Sequence, residues 1–485
     1  MKKSSRWSLL LVALTAFCAA GTIIGFGTGR AEYDIVEQFK QAVGQKQMSD
    51  WHPPIVAVVW RGLYGLTGWI GSLFVCSALL YFTGVLLTAE YVHRRLGSRL
   101  GSLGVLAVSI SPWAYSQINI PWKDTILTGA LLAGCGCVML IRRGARSKRT
   151  AVLALVAVGA LIFATLVRKN AIAAVVPICF YLAWQLLPIA HRTMRKLQAR
   201  SSAASSSLRR FVAWLAGSFV LIFAVGGAAV VADAGIARVW HVKETHQEYQ
   251  VMLDDVMFSV PEDELNAADV TPKLKKRINT SRALCYERGV FYDAYWNCFG
   301  RGHGGDYQPI EESHRQGLEK LWRENVITHP ARYLSYRWSV YRFYLTTSAL
   351  EYFQYPVNTA QEIGFGTGPE PFERAVKTYV LDFGVEKLGF TFKPWFWLTG
   401  CVLVAAVALK RRRAPAAVLT LTASAFLYTA AYFPVIPEAH FRYTHWPAAA
   451  VSIALIAALA EHFRGKSKRP AETADGPLRE KTSAL

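Results

Sequence analysis

The apolar residues of this sequence are concentrated in blocks that are long enough to cross a membrane. A bilayer core about 30 Å thick takes roughly 20 apolar residues as a helix, and several stretches approach that length with few or no charges inside them. The blocks cover 7–27, 69–89, 125–140, 151–167, 171–189, 211–232, 395–409, 414–433 and 446–460, and a further candidate, 100–112, spans only if extended to residue 117. The core of a soluble protein does not require so many segments of this kind. The pattern therefore predicts an all-α membrane protein with about ten transmembrane helices.

The net charge of +21 is carried largely by short connections between these blocks. Lys and Arg favour the cytoplasmic side of short loops. The basic clusters fall in alternate connections, at 2–3, 94–99, 142–149, 192–210, 410–413 and 464–469. Ten spans with both termini cytoplasmic place all of them on one side. Because the clusters form no contiguous basic face, we expect no nucleic-acid partner. The Ala-rich helices and basic tail favour a bacterial cytoplasmic (inner) membrane.

This topology divides the chain into four parts. An N-terminal transmembrane module of about seven helices covers 1–233 and includes a first outer loop, 28–54. A mainly helical extracytoplasmic domain covers 234–393, between helices seven and eight. A C-terminal module of about three helices covers 394–463, and a cytoplasmic tail covers 464–485. The first block also fits a signal peptide, but its length favours a retained helix.

Two of the eight cysteines lie in the predicted outer domain. The other six fall within apolar blocks and are expected to be small buried hydrophobic residues. An oxidising compartment would permit a disulfide between Cys285 and Cys298, although the sequence alone leaves that pairing open. The sequence contains no phosphate-binding glycine pattern and no zinc-like Cys/His spacing, which argues against a nucleotide-driven pump.

Polar residues gather in four places that this topology puts on the outer surface. The first is the loop after helix one, with polar residues at 33–38 and 49–54. The others are 121–124 at the mouth of the fourth helix, 168–170, which is outside although basic, and 438–443 just before the last helix. Polar groups that gather at one level of the membrane and have no evident structural role are the best candidates for a functional site.

With these motifs in this order, the chain resembles the GT-C superfamily of integral membrane glycosyltransferases, which use polyprenyl-phosphate-linked sugars and include protein mannosyltransferases and aminoarabinose transferases. The resemblance rests on Asp34 soon after the first helix, on His52-Pro53-Pro54, on Ser111-Pro112 leading to Asp124, and on Arg442-Tyr443 before the last helix. The paired acidic motif of the family is absent from the first loop, where Ile35-Val36-Glu37 follows Asp34. A divalent metal, Mg²⁺ or Mn²⁺, is therefore neither required nor excluded, and no other cofactor is expected.

The resemblance implies inverting transfer of a sugar from the lipid donor to a glycan, lipid or protein acceptor, with membrane lipids as further partners. Asp34 is the first candidate for the general base, with a pKa raised by partial exclusion of water. Asp124 is the second, either to position the acceptor or to hold a metal. Cationic side chains would stabilise the leaving phosphate. The candidate substrate-binding residues are His52, Lys123, Arg168, Lys169, His440, Arg442 and Tyr443.

Each candidate residue also has a purely structural interpretation. Asp34 could begin an extracellular helix or pair with Lys40, and Asp124 could cap a helix. The two residues Arg168 and Lys169 could extend to lipid headgroups, and His52, His440 and Arg442 could be satisfied polar contacts or interfacial anchors. Two other functions stay open: a ligase or polymerase of lipid-linked glycans, served by Arg332, Arg337 and Arg342, and a transporter or flippase.

Overall fold

The computed structural model describes residues 2–195, 206–300, 312–350, 361, 363–366, 368–410 and 415–467. Helices account for nearly all of its regular structure, and within these ranges the only β-type pairing is an isolated bridge between Ser49 and Lys243. The basic clusters at 192–210 and 410–413 lie partly outside the described residues, as does the tail beyond residue 467. The chain is therefore an all-α protein, as the apolar pattern predicts.

The N-terminal half consists of ten helices. They are α1 (Lys2–Phe26), α2 (Tyr33–Ala42), α3 (Pro54–Thr67), α4 (Ser72–Leu96), α5 (Arg99–Ser109), α6 (Pro112–Ile118), α7 (Lys123–Leu140), α8 (Lys148–Val167), α9 (Ile172–Arg195) and α10 (Ser206–Val239).

In the second half of the chain, short polar helices precede three apolar ones. They are α11 (Glu248–Ser259), α12 (Glu262–Ala267), α13 (Pro272–Glu287), α14 (Glu312–Leu321), α15 (Pro330–Thr346), α16 (Glu370–Lys377), α17 (Pro394–Lys410), α18 (Ala416–Ala430) and α19 (His445–Ser467). We call the part between α10 and α17 the connecting domain.

Seven helical segments of the described residues are long and apolar enough to cross a membrane. They are Arg6–Phe26, Ser72–Leu96, Lys123–Leu140, Lys148–Val167, Lys169–Pro188, Leu208–Val239 and Phe441–Arg464. Three apolar helices, α5, α17 and α18, are shorter. The seven long segments identify a membrane protein, and the three short ones coincide with the remaining blocks of the sequence pattern.

The apolar block at 100–112, which is the third in chain order, is interrupted. Helix α5 ends at Ser109, and a separate helix, α6, begins at Pro112. A proline disfavours helical geometry in the residue before it, and Ser111 is accordingly extended, with ψ of 159°. An unbroken helix through residue 117, which this block would need to span, does not form.

The bundle is centred on α7, which is almost entirely buried, whereas α10 is mostly exposed. Helices α4 and α7 approach closely because small residues line their contact. A Cβ added at Gly84 would lie 2.5 Å from Cβ of Leu132, and one at Gly136 would lie 2.7 Å from Cβ of Leu87. Glycines that let helix backbones approach are typical of membrane helix packing.

The part of the connecting domain from Leu253 to Val326 has an apolar core of its own, whereas the buried apolar residues of α15 and of 376–392 belong to the core of the bundle. A disulfide joins Cys285 and Cys298, whose Cα atoms are 5.5 Å apart. The fully buried Arg337 pairs with Asp255 at 2.7 Å and also donates a hydrogen bond of 3.3 Å to the carbonyl of Ile436. This arginine therefore fixes the connecting domain against the loop that precedes the last helix.

Candidate functional site

Asp34 lies in the first turn of α2, within a cluster of cations. The side chain of Glu32 caps this helix and accepts hydrogen bonds from the backbone N–H groups of Asp34 and Ile35 at 3.0 and 3.2 Å. The Asp34 carboxylate lies 3.9 Å from Nε2 of His52 and 4.0 Å from Nη1 of Arg442. Its side chain is 26% exposed, so it is the more accessible partner in each of these two contacts.

Arg442 is held in place by the segment before the last helix. It lies in the short 3-10 turn Phe441–Thr444, where the ring of His440 accepts a hydrogen bond from its backbone N–H at 3.2 Å. Its guanidinium stacks over Trp122, with 4.2 Å between Cζ and the ring centroid, and pairs with Glu438 at 2.8 Å. Residues from two distant parts of the chain, Trp122 and the segment 438–440, therefore orient this cation towards Asp34.

A second ion pair joins Asp124 to Arg168. The Asp124 side chain is only 2% exposed and makes no capping hydrogen bond, so capping does not explain its place at the start of α7. Arg168 also donates to the hydroxyl of Tyr432 at 2.7 Å and lies over the ring of Tyr443, 4.7 Å from its centroid. Because the Tyr443 hydroxyl accepts a hydrogen bond from Arg442 at 3.3 Å, this tyrosine connects the two arginines.

The two lysines of the predicted site behave differently. Lys123 is close enough to Asp34 to lower the pKa of that carboxyl. Lys169 is 87% exposed and lies 3.9 Å from Asp233, away from the cluster. The other predicted residues, from four separate segments, come together; Lys169 does not.

The electrostatics of Asp34 differ from the sequence-based expectation of a raised pKa. Burial raises the pKa of this carboxyl, but His52, Lys123 and Arg442 outweigh burial and bring it below its ordinary value. Burial also lowers the pKa of His52 to about 4, so its ring is neutral at neutral pH. Lys123 and Arg442 are thus the cations that keep Asp34 ionised, whereas burial and the charge of Asp34 raise the pKa of Glu32.

Three acidic residues near the cluster are not among the predicted site residues. They are Glu32, Glu438 and Asp293. Asp293 comes from the connecting domain, where it adopts a positive φ of 52° and accepts a hydrogen bond from Gln250 at 2.9 Å. Burial, followed by the charge of Glu438, raises the pKa of Asp293 well above its ordinary value. No motif in the sequence signals this contact, because it depends on how the connecting domain docks.

Within the described residues, no group of three or more His, Cys, Asp or Glu side chains is arranged to hold a metal ion. The charge in the cluster is instead balanced between carboxylates and the side chains of Lys123, Arg168 and Arg442. The arrangement can accept a proton at Asp34 and bind an anion beside it.

Comparison with known proteins gives no relative: no protein-family model, no curated protein and no solved structure matches this chain.

Proposed function

We propose that this protein is a membrane glycosyltransferase that moves a sugar from a polyprenyl-phosphate donor to an acceptor, with inversion at the anomeric carbon. The observation that carries the proposal is the partly exposed Asp34 carboxylate beside the buried guanidinium of Arg442, 4.0 Å away. A carboxylate base next to a cation is the pair that displacement of a lipid phosphate needs.

In this reaction Asp34 takes the proton from the acceptor hydroxyl or amine. The acceptor atom forms a bond to the anomeric carbon, and the bond from that carbon to the phosphate oxygen breaks, with both electrons leaving on the polyprenyl phosphate. Because nearby cations lower the pKa of Asp34, the carboxylate is already ionised but is a weak base. Proton transfer is then expected late, when the developing bond has made the acceptor proton acidic.

We assign the binding of the leaving phosphate to the cations around Asp34. Guanidinium groups bind phosphate oxygens through charge-assisted, often paired hydrogen bonds. Arg442 is the nearest, with Lys123 and Arg168 in support. Asp124 is too buried to reach an acceptor, so its proposed role is to position Arg168 rather than to take a proton.

The proposed topology has ten crossings, formed by the seven long segments, by α17, by α18, and by α5 and α6 together, which cross as two short helices in succession. Both termini are then cytoplasmic, and the connecting domain and the Asp34 cluster face outward, in a bacterial cytoplasmic membrane. An acceptor in the outer compartment would meet the donor at the membrane surface. The metal question stays open, since Mg²⁺ or Mn²⁺ is not needed for the roles assigned above.

The ligase or polymerase alternative relied on three arginines of the connecting domain. Arg332 pairs with Glu264 at 2.6 Å, and Arg337 is fully buried against Asp255. Two of the three are thus occupied by structural contacts, which weakens that alternative.

The test is sugar transfer by purified protein from a panel of radiolabelled polyprenyl-phosphate sugars. Wild type is compared with Asp34→Asn and with Asp269→Asn, a control at an acid that is 97% exposed in the connecting domain. We expect wild type and control to release polyprenyl phosphate, and Asp34→Asn to lose at least about 100-fold in rate. If folded wild type turns over no donor, or if Asp34→Asn retains full activity, the proposal is wrong.

A further inference from the structure

Two buried amide side chains adjoin the charged cluster without hydrogen-bond partners among the described residues. Gln38 is 1% exposed and Asn119 is 0% exposed. Neither the oxygen nor the nitrogen of either amide has a partner in the part of the chain that the structure describes. Buried polar groups are normally hydrogen-bonded, so two wholly unpartnered amides in segments that adjoin the cluster need an explanation.

The segments that carry the two amides adjoin the Asp34 cluster. Gln38 follows Asp34 by four residues in α2, so the two side chains lie one turn apart on the same helix face. Asn119 ends α6, and its carbonyl accepts a hydrogen bond from the backbone N–H of Arg30 at 2.9 Å, just before α2 begins. Three residues further on, Trp122 lies beneath Arg442. The two amides thus come from the two segments that carry Asp34 and Lys123.

The chemistry of an amide indicates what it would bind. Each side chain offers two N–H donors and one carbonyl acceptor. A sugar hydroxyl both donates and accepts, so neutral amides suit it well. A phosphate only accepts at its ionised oxygens and is better served by the neighbouring arginines. An apolar side chain of equal size at either position would avoid the cost of burying an unpaired amide.

We propose that Gln38 and Asn119 form a subsite that binds hydroxyl groups of the sugar carried by the lipid donor. This subsite deepens the proposed glycosyl transfer and depends on it. It separates recognition of the sugar, by the two amides, from recognition of the phosphate, by the cations around Asp34.

The test compares two nearly isosteric variants, Gln38→Met and Asn119→Leu, in purified full-length protein. The probes are the sugar donor that wild type turns over and the same polyprenyl phosphate without sugar, used as a competitor. Each variant should raise KM for the donor about five- to tenfold, as expected for the loss of one or two neutral hydrogen bonds. The inhibition constant of the bare lipid should change by less than about twofold, and thermal stability should not fall.

Gln185→Met is the matched control, because Gln185 is also buried and has an unpartnered amide oxygen, but lies in α9, where it donates to Tyr181. It should leave KM unchanged. An unchanged donor KM in both amide variants would mean that water alone satisfies these amides and would overturn the subsite. An equal loss of affinity for bare lipid, or a change only in KM for the acceptor, would also overturn it.

A measurement on wild type alone keeps the proposal testable if neither variant folds. The sugar-bearing donor should bind about tenfold tighter than bare polyprenyl phosphate, and equal affinities contradict the subsite. Failure of the glycosyl-transfer proposal itself looks different, since wild type would then turn over no donor of the panel.

Discussion

His52 is a buried imidazole beside a carboxylate, and burial lowers its pKa from about 6.5 to about 4. In the unfolded chain this histidine takes a proton as the pH falls below about 6.5, whereas in the folded protein it does so only near pH 4. The unfolded state therefore binds more protons between these values, and stability is lost as the pH falls through this window. The loss is at most about 1.4 kcal/mol per pH unit.

We expect His52→Gln to flatten this acid dependence. The measurement is the thermal midpoint of purified protein between pH 7 and pH 4, for wild type and variant. His329→Gln, at an exposed histidine of the connecting domain, is the control and should follow wild type. Parallel curves for wild type and His52→Gln would show that His52 does not carry the effect.

The charge of Arg168 is buried and paired with Asp124, and the effect of breaking this pair on stability can be predicted. Asp124→Ala leaves that charge without a carboxylate, with the hydroxyl of Tyr432 and the tyrosine rings as its remaining contacts, and removing one partner of a buried pair costs about 3–5 kcal/mol. The double variant Asp124→Leu/Arg168→Met should be more stable than Asp124→Ala. Asp233→Ala, which breaks the exposed pair with Lys169, should cost at most about 1 kcal/mol. Thermal unfolding of the four proteins checks this order.

The residues of the cluster could be predicted from sequence only in part. Asp34, Asp124 and Arg442 stand out because they belong to polar segments that the topology gathers at the outer membrane level, and the shared level predicts their proximity. Lys169 has the same signal but turns towards Asp233. Glu438 belongs to the polar segment 438–443 but is not among the candidate residues. Asp293 is not predicted, since its place in the site depends on docking of the connecting domain, which leaves no periodic signal.

Among the elements, the apolar helices follow the hydropathy pattern closely, while the breaks follow local chemistry. Pro112 divides the third block into α5 and α6, and α6 leads into the segment that carries Trp122 and Lys123. A helix that begins at Asp34 is one interpretation of the first loop and Tyr33–Ala42 is a helix, but no sequence feature indicates that Glu32 caps it. Hydropathy thus predicts which segments enter the membrane, but not how the segments between them position side chains.

The disulfide gives a prediction for the connecting domain. Cys285 and Cys298 close a short loop that contains Asp293, and a closed loop of about 15 residues restricts the unfolded chain by about 3 kcal/mol. Cys285→Ser/Cys298→Ser should lose roughly this stability and also lower the rate of sugar transfer, because Asp293 is no longer held near Glu438. Cys76→Ser, at a half-buried free cysteine, should lose less. Unchanged stability and rate in the double variant would show that the loop is ordered without the bond.

In the whole molecule, two apolar cores meet at one charged layer. The bundle supplies Asp124, Arg168 and Arg442, and the connecting domain supplies Asp293 and the buried Arg337. The first loop lies between them: Trp51 packs against Trp296, with ring centroids 5.5 Å apart, and its neighbour His52 contacts Asp34. Because the connecting domain contributes Asp293 to this layer, the side of the membrane on which this domain lies is also the side that the Asp34 cluster faces.

That orientation can be tested with single cysteines and a membrane-impermeant maleimide. Lys276 of the connecting domain and Arg142, between α7 and α8, are both exposed, whereas the six free native cysteines are buried or half-buried and should label weakly. If the Lys and Arg clusters are cytoplasmic, Lys276→Cys should label in intact cells and Arg142→Cys only after the membrane is permeabilised. The reverse pattern would put the Asp34 cluster in the cytoplasm, and labelling of both in intact cells would mean that the two positions share the outer side, against the ten-span topology.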